Sequence, residues 1–460
     1  MRLRTTLSTL AIVIGAFGLT VVGATGCDKK GGDTGKAGDK KEPGTDKKAG
    51  DKKAAEGDKK AAEGDKKAGE GDKKAAEGDK KVAKPVGPPK TIKLWHAYRG
   101  DEKKAFEQLI GEFNTKTPHI KVQAQAVPYD AFVDKVTIVV PRGQGPDLFV
   151  FAHNMVGNWV DKKVIAPIGD KVPGEVLKQF LPQSVKALVY RKNLYGLPLA
   201  FKSLVLFCNK KLLPEPPSSM EELITKLKPL LTKERYGLIY EAGGLYQHAT
   251  WVHAFGGSVF DAEHKPAFQT EAQVKALKFA RSLFAEHKLY PKGVAEHMIT
   301  TLFNEQKAVC TLNGPWFRAE INKDVDYVVR TVPTVEGKPG KPFLGIESLF
   351  VTTSSKNPKE AVEVARFLTS AASAKVRLEV GKQPVAHAAT LAASKDPHMA
   401  VFKKQVEHAV LMDSSPEMQV VWATADGAIG RTLFVDGADP KAELAKAQKR
   451  IEADLARRQK

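Results

Sequence analysis

The chain has 460 residues, 72 Lys and Arg against 53 Asp and Glu for a net charge of +19, and three cysteines. So few thiols exclude a disulfide framework as the source of stability, which has to come from apolar burial. The charge does not mark a nucleic-acid face: residues 28–90 hold nineteen Lys against fourteen acidic residues and contribute +5, Arg2 and Arg4 contribute +2, and the remaining +12 is spread along the chain, as on a solvated basic surface.

Arg2 and Arg4 precede a mostly apolar run from Leu7 to Val22 that ends at "ATGC". The run is short for a membrane span, which takes roughly 20 apolar residues, and its order of charge, apolar block and small residues is that of a secretory signal. The stretch Ala24 to Cys27 resembles the lipobox of bacterial lipoproteins, with Ala24 where Leu is usual. That resemblance implies a signal peptide over 1–26, a lipid on Cys27 and, with Asp28 next to it, retention at the inner membrane facing the periplasm. Residues 28–90 follow, with a period of seven, "DKKAAEG". Alanine alone could fill a heptad seam, and a glycine in each repeat costs a helix about 1 kcal/mol. The tract therefore reads as a disordered linker, with an end-to-end reach on the order of 45 Å.

Residues 91–460 are too many for one ordinary core and imply two. "TIKLWHAY" is predicted as a strand, and "DEKKAFEQLIGEFNTKT" places Ala105, Phe106, Leu109, Ile110 and Phe113 on one helical face. "HIKVQAQAV" alternates Ile120, Val122, Ala124 and Ala126 as a strand, a helix is expected near 130–140, and "LFVFA" after the "RGQGPD" turn suits a strand covered on both faces. Strands alternating with helices imply open, mostly parallel sheets flanked by helices, an α/β class. Ligands of such sheets lie beyond the carboxyl ends of the strands, here "WHAYRG" (95–100) and "AHN" (152–154). Farther on, Ser219 and Glu222 are spaced as a capping box, "TEAQVKALKFARSLFAEH" is an amphipathic helix, and Asp439 with Pro440 opens a terminal helix. Cys208 in "SLVLFCN" and Cys310 in "KAVCTLNG" sit in strand-like runs and are expected as two buried free thiols rather than a bridge. Two α/β lobes leave a cleft between them.

"KLWHAYRGDEKKAFEQLIGEF", "GQGPDLFVFAHN", "YGLPLAFKSLVLFCNKKLLPEPPSSMEELI", "KAVCTLNGPW" and "GKPGKPFLGIESLFVTTSS" resemble, in order and spacing, segments of the maltose-binding-protein-like family of extracellular sugar-binding proteins. The resemblance covers nearly all of 91–460. It implies a two-lobed, hinged binding protein, monomeric, that closes on a sugar and presents it to the permease of an ATP-binding-cassette importer. It places lobe 1 at 91–201 and 346–396, and lobe 2 at 202–345 and 397–460. Trp316 and Trp422 match tryptophans on which the family stacks sugar rings, Tyr246 matches a pocket tyrosine, and Phe151 stands where the family has a pocket tryptophan. A pyranose has an apolar C–H face that packs on an aromatic ring, while its hydroxyls need directed partners. The candidate ligand set is completed by Trp95, Tyr98, Arg99, His153, Asn154, Lys202, Glu347 and Asp426.

The departures from the family are in the polar residues. Lys202 replaces a glutamate, Asn154 and Met155 replace an Asp-Arg pair, Asp426 replaces an arginine, and Tyr98, Arg99 and Asp101 stand near the place of an acidic pair. Such changes remove partners of particular sugar hydroxyls and put maltose itself in question. For Lys202 and Asp426 two accounts compete: a latch pairing them across the closed cleft, which is preferred, or a lysine that selects an acidic sugar.

The competing classes are a binding protein or sensor for a non-sugar solute and a glycan-degrading surface lipoprotein. GxSxG, HExxH and P-loop patterns are absent from the sequence, and no motif places a pair of carboxylates. His248 and His253, five residues apart, share no helix face and have no thiolates nearby, so neither a metal site nor another cofactor is expected.

Overall fold

The computed structural model describes residues 87–458; the expected signal sequence, Cys27 and nearly all of the repeat tract lie outside them. The first elements are β1 (Lys90–His96), α1 (Gly100–Lys116), β2 (Ile120–Ala126), α2 (Tyr129–Val139) and β3 (Leu148–Ala152). β1 pairs in parallel with β2 and with β3. In α1 the five apolar residues of the predicted face are all buried, whereas in β2 only Ile120 and Val122 are covered. β2 is the sheet's edge strand, and its second half, Ala124 and Ala126 included, is exposed.

β4 (Gly196–Lys202) and β5 (Val205–Asn209) are separated by two residues but belong to different sheets. β6 (Tyr236–Ile239), β7 (Ala308–Asn313) and β8 (Tyr327–Arg330) complete the second sheet, in the order β8-β5-β7-β6. β9 (Phe343–Val351) returns to the first sheet, where it pairs antiparallel with both β3 and β4, and β10 (Val410–Leu411) lies parallel at its other end. The first sheet thus has three parallel pairings of five, while in the second only β6 with β7 is parallel. Strands that enter and leave a lobe by crossing from the other one run against their neighbours, which the simple alternation of strands and helices does not reveal.

Each sheet carries its own core. Phe106, Phe113, Phe149, Trp159, Leu349 and Leu368 belong to the first, and Phe207, Leu223, Trp251, Leu277, Phe303 and Leu433 to the second. Strand β9 serves both, giving Phe343, Leu344 and Ile346 to the second core and Leu349, Phe350 and Val351 to the first. Where β4 gives way to β5, the Ser203 hydroxyl donates to the Phe343 carbonyl at 2.9 Å, tying the two crossing strands together. Paired crossing strands of this kind can flex as a hinge while each core stays rigid.

Helix starts follow the sequence. Ser219 Oγ accepts from the Glu222 amide at 3.2 Å, one half of the expected capping box, and Asp439 Oδ2 accepts from the Ala442 amide at 2.8 Å at the start of the terminal helix. The cysteine expectation is corrected: Cys208 and Cys310 form a disulfide. They stand directly opposite each other on the antiparallel pair β5 and β7, and a facing pair on adjacent strands brings two Cβ atoms within bonding reach. Among the described residues no helix is long and apolar enough to cross a membrane.

Candidate functional site

Second-lobe aromatics gather around Phe343, on the crossing strand β9. Helix α3 (Leu245–Ala254) brings Tyr246, whose ring centroid is 6.1 Å from that of Phe343, and α4 (Met418–Phe434) brings Trp422, also at 6.1 Å. Trp316, just after β7, lies 6.4 Å from Tyr246. Phe343 is buried, while Tyr246, Trp316 and Trp422 are each half-buried, so one buried ring backs three that present surface. Trp316 is held in two ways. Its Nε1 donates to Glu296 at 3.1 Å, and its ring lies against Gly314, where a Cβ would come within 2.0 Å of the ring. Glu296 also accepts from Asn313 at 3.0 Å; burial raises its pKa, and the two donated bonds oppose that rise.

The first lobe supplies a polar cluster. Lys202, at the end of β4, places Nζ 2.7 Å from Glu102 and 3.6 Å from Glu347. Glu347 in turn accepts from the Tyr98 hydroxyl at 2.7 Å. Burial raises the Glu347 pKa, with Lys202 opposing; it raises the Tyr98 phenol well above 10, reinforced by the Glu347 charge. For Lys202 burial disfavours the charge, but the two carboxylates outweigh it and the pKa rises. Arg377, fully buried nearby, donates to the Leu199 carbonyl at 2.7 Å. The two carboxylates thus share Lys202 in direct contact, and Arg377, whose charge acts on Glu347 without an ion-pair contact, brings the count to two acids and two cations.

This arrangement lacks the pairing that the latch account expects and gives two carboxylate partners to Lys202. Asp426 does not meet it: the Asp426 carboxylate accepts from the Leu245 amide at 2.6 Å, at the start of α3, a place where an acid is favoured by the free N–H groups and the helix dipole. Lys202 and Asp426 therefore do not pair in this structure. Nor is Lys202 a free cation for an acidic sugar, since two carboxylates of its own lobe already neutralise it.

The remaining candidates divide. Arg99 reaches Glu320 of the second lobe at 3.0 Å. Asn154 receives a bond from Gln419 of α4 on its carbonyl at 2.9 Å, while its side-chain oxygen is buried without a partner. His153 is fully buried, with Nε2 against the Met412 carbonyl at 2.9 Å and Nδ1 accepting from the Ile346 amide at 3.0 Å. Both ring nitrogens are occupied, so its role is to join β3 to β9 and to the segment after β10 rather than to meet a ligand. Trp95 is 9% exposed, with Lys135 Nζ 4.6 Å from its ring centroid. Phe151 is 5% exposed and lies beneath Tyr129, whose ring is nearly parallel at 5.0 Å. Glu102, Tyr129, Glu296 and Phe343 were not among the candidates. Glu102, in the first turn of α1, and Tyr129, the first residue of α2, each lie just past the carboxyl end of a strand, the position that marked "WHAYRG", and so were open to the same reasoning; Glu296 and Phe343 carried no such signal.

Residues 97–375 match the family described as "Bacterial extracellular solute-binding protein". The maltotriose-binding protein of Pyrococcus abyssi is 25% identical over 374 residues, 78% of this chain and 81% of that one. The galactooligosaccharide-binding protein of Bacillus subtilis is 27% identical over 350 residues, 72% of this chain and 82% of that one. Among solved structures, the Thermus thermophilus maltotriose-binding protein bound with maltotriose superposes with a TM-score of 0.75 at 27% identity, covering 79% of this chain and all of that one. With the two cores joined by crossing strands and most of its length matched, the chain belongs to the bacterial extracellular solute-binding protein family.

Proposed function

We propose that the protein captures a neutral, linear oligosaccharide of the malto-oligosaccharide class between its lobes and delivers it to the permease of an ATP-binding-cassette importer. The observation that carries this reading is the pairing of surfaces. Three half-buried rings on the second lobe, Tyr246, Trp316 and Trp422, offer faces for pyranose C–H surfaces. The first lobe holds Tyr98, Glu102, Lys202 and Glu347 as donors and acceptors, with the charge of Arg377 behind them to balance the second carboxylate. The names of the relatives point the same way. A ligand that touches both lobes selects the closed state, because only there are both sets of contacts made.

The sugar leaves unchanged in this reading, which makes the protein a carrier and not a glycan hydrolase. The "ATGC" stretch supports a lipid on Cys27 and a position on the periplasmic face of the inner membrane, and the repeat tract supports a tether between anchor and binding lobes. The lobe boundaries belong to the same proposal, at 345/346 and 396/397 as expected and at 202/203 rather than 201/202, since Lys202 is still the last residue of first-sheet strand β4; so does a monomeric state.

The test is a thermal-shift and calorimetric series of maltose, maltotriose, maltotetraose and galacto-oligosaccharides on the full chain, with chromatography of the recovered sugar. Saturable binding with intact sugar and a rise in melting temperature supports the proposal. Binding to none of them, or release of shorter products, sinks it.

A further inference from the structure

Tyr129 is the most exposed large hydrophobic residue among the described residues, 60% accessible at the first residue of α2. A ring so placed ordinarily turns against its own helix or toward a neighbour. This one lies flat on Phe151, 5.0 Å between centroids and 19° between planes, and Phe151 continues inward to Phe132 at 5.1 Å and 24°. Three rings thus form a stack whose innermost member is fully buried and whose outermost has one face open. The stack fixes the tilt of Tyr129 without covering its outer face, so little side-chain freedom remains to be lost when a ligand packs there.

Position gives the open face its meaning. Phe151, beneath Tyr129, faces Ser348 across the pairing of β3 with β9, and the next pair in register is Ala152 with Glu347 of the polar cluster. Helix α2 starts just past the carboxyl end of β2, beside β1, whose own carboxyl end leads to Tyr98, so Tyr129 stands at the same strand ends as the first lobe's donors and acceptors, and the charges of Glu347 and Lys202 reach its hydroxyl. Phe151 itself, 5% exposed, has no face left to offer.

We infer that Tyr129 is a binding residue, the first lobe's own stacking platform, taking the apolar face of a pyranose ring in the place that burial denies to Phe151. The inference rests on the proposed oligosaccharide reading and adds to it: one sugar ring meets aromatic surface on both lobes, so stacking as well as hydrogen bonding favours closure. The ring, not the hydroxyl, supplies the contact.

The experiment uses the full chain with maltotriose and maltotetraose in calorimetry, comparing native protein with Tyr129→Ala, Tyr129→Phe and Trp316→Ala. Tyr129→Ala is expected to lower affinity roughly 5- to 30-fold, with the melting temperature of the sugar-free protein lowered only slightly, by loss of the ring that covers Phe151; Tyr129→Phe should stay within about threefold of native. Native-like affinity in Tyr129→Ala while Trp316→Ala loses binding would overturn the platform and leave the oligosaccharide reading standing. Equal losses in Tyr129→Phe and Tyr129→Ala would also overturn it, since the hydroxyl would then be the contact. A native protein that binds neither sugar overturns both proposals together.

Discussion

Arg99 of the first lobe and Glu320 of the second lie 3.0 Å apart, next to the point where Gly100 approaches the Ala319 carbonyl. A Cβ on Gly100 would stand 3.0 Å from that oxygen, and the backbone there has a φ of +50°, so glycine meets two requirements at once. The pair ties the start of α1 to the second lobe. Because Arg99 remains 66% exposed, the pair is worth only about 0 to 1 kcal/mol and is weakened by salt. Glu320→Gln should therefore lower sugar affinity by no more than about fivefold, with a smaller difference from native at 0.5 M salt. A loss that is larger and independent of salt would show that Glu320 touches the sugar directly.

Trp316 offers a test of platform geometry that leaves its chemistry in place. In Gly314→Ala the new methyl group would occupy space taken by the indole, forcing the ring away while keeping every atom of the tryptophan. Affinity for maltotriose should fall by about 1 to 3 kcal/mol, as in Trp316→Ala. Indole fluorescence should shift at the same time. Unchanged affinity in both variants would make Trp316 a packing residue.

The neutral count of the Lys202 cluster has a direct consequence. Lys202→Met leaves Glu102 and Glu347 close together without their shared cation, and breaking a buried pair in this way costs about 3 to 5 kcal/mol. Adding Glu102→Gln to that variant should recover part of the loss, which urea denaturation would measure. In the native protein, sulfated or carboxylated forms of one oligosaccharide should bind no better than the neutral form. A tenfold preference for an acidic form would mean that Lys202 leaves its carboxylates to bind ligand.

Elements were legible in the sequence where a local pattern determines them. The buried face of α1, the doubly covered β3 and the Ser219 and Asp439 caps all follow from spacings of a few residues. Contacts fixed by the crossings were not legible. Lys202 meets a glutamate one hundred positions earlier, Cys208 meets a cysteine 102 positions later, and Asp426 caps a helix 181 positions away. A resemblance carries residue positions but not pairings, and a lysine in the place of a glutamate finds new partners. The second sheet's antiparallel pairings were hidden for the same reason, since strand direction depends on where the chain crosses.

The Cys208–Cys310 bridge closes a long loop between two adjacent strands, and both residues are fully buried. Replacing both by alanine should lower stability by about 2 to 4 kcal/mol, read as a lower denaturant midpoint. Native chain unfolded without reductant should give no reactive thiol from either residue. An unchanged midpoint, or two titratable thiols, would contradict the bridge.

His153 couples the site's framework to pH. Burial lowers its pKa from 6.5 to about 4, partly offset by its bond to the Met412 carbonyl. The neutral ring is also the form its bonds require: Nε2–H donates to Met412, and Nδ1 must stay unprotonated to accept from Ile346. The folded pKa is depressed, so the unfolded chain takes up a proton first as acid is added. The stability linked to this neutral ring is fully present above pH 6.5 and is lost as pH falls from there toward 4, at a slope approaching about 1.4 kcal/mol per pH unit. In His153→Gln, which cannot titrate, the free energy of unfolding should be lower than native at pH 7, with a flatter decline between pH 6.5 and 4.5. Urea denaturation across that interval measures the difference in slope. Parallel curves for the two proteins would mean that His153 carries the same charge folded and unfolded, and that its two bonds do not hold it neutral.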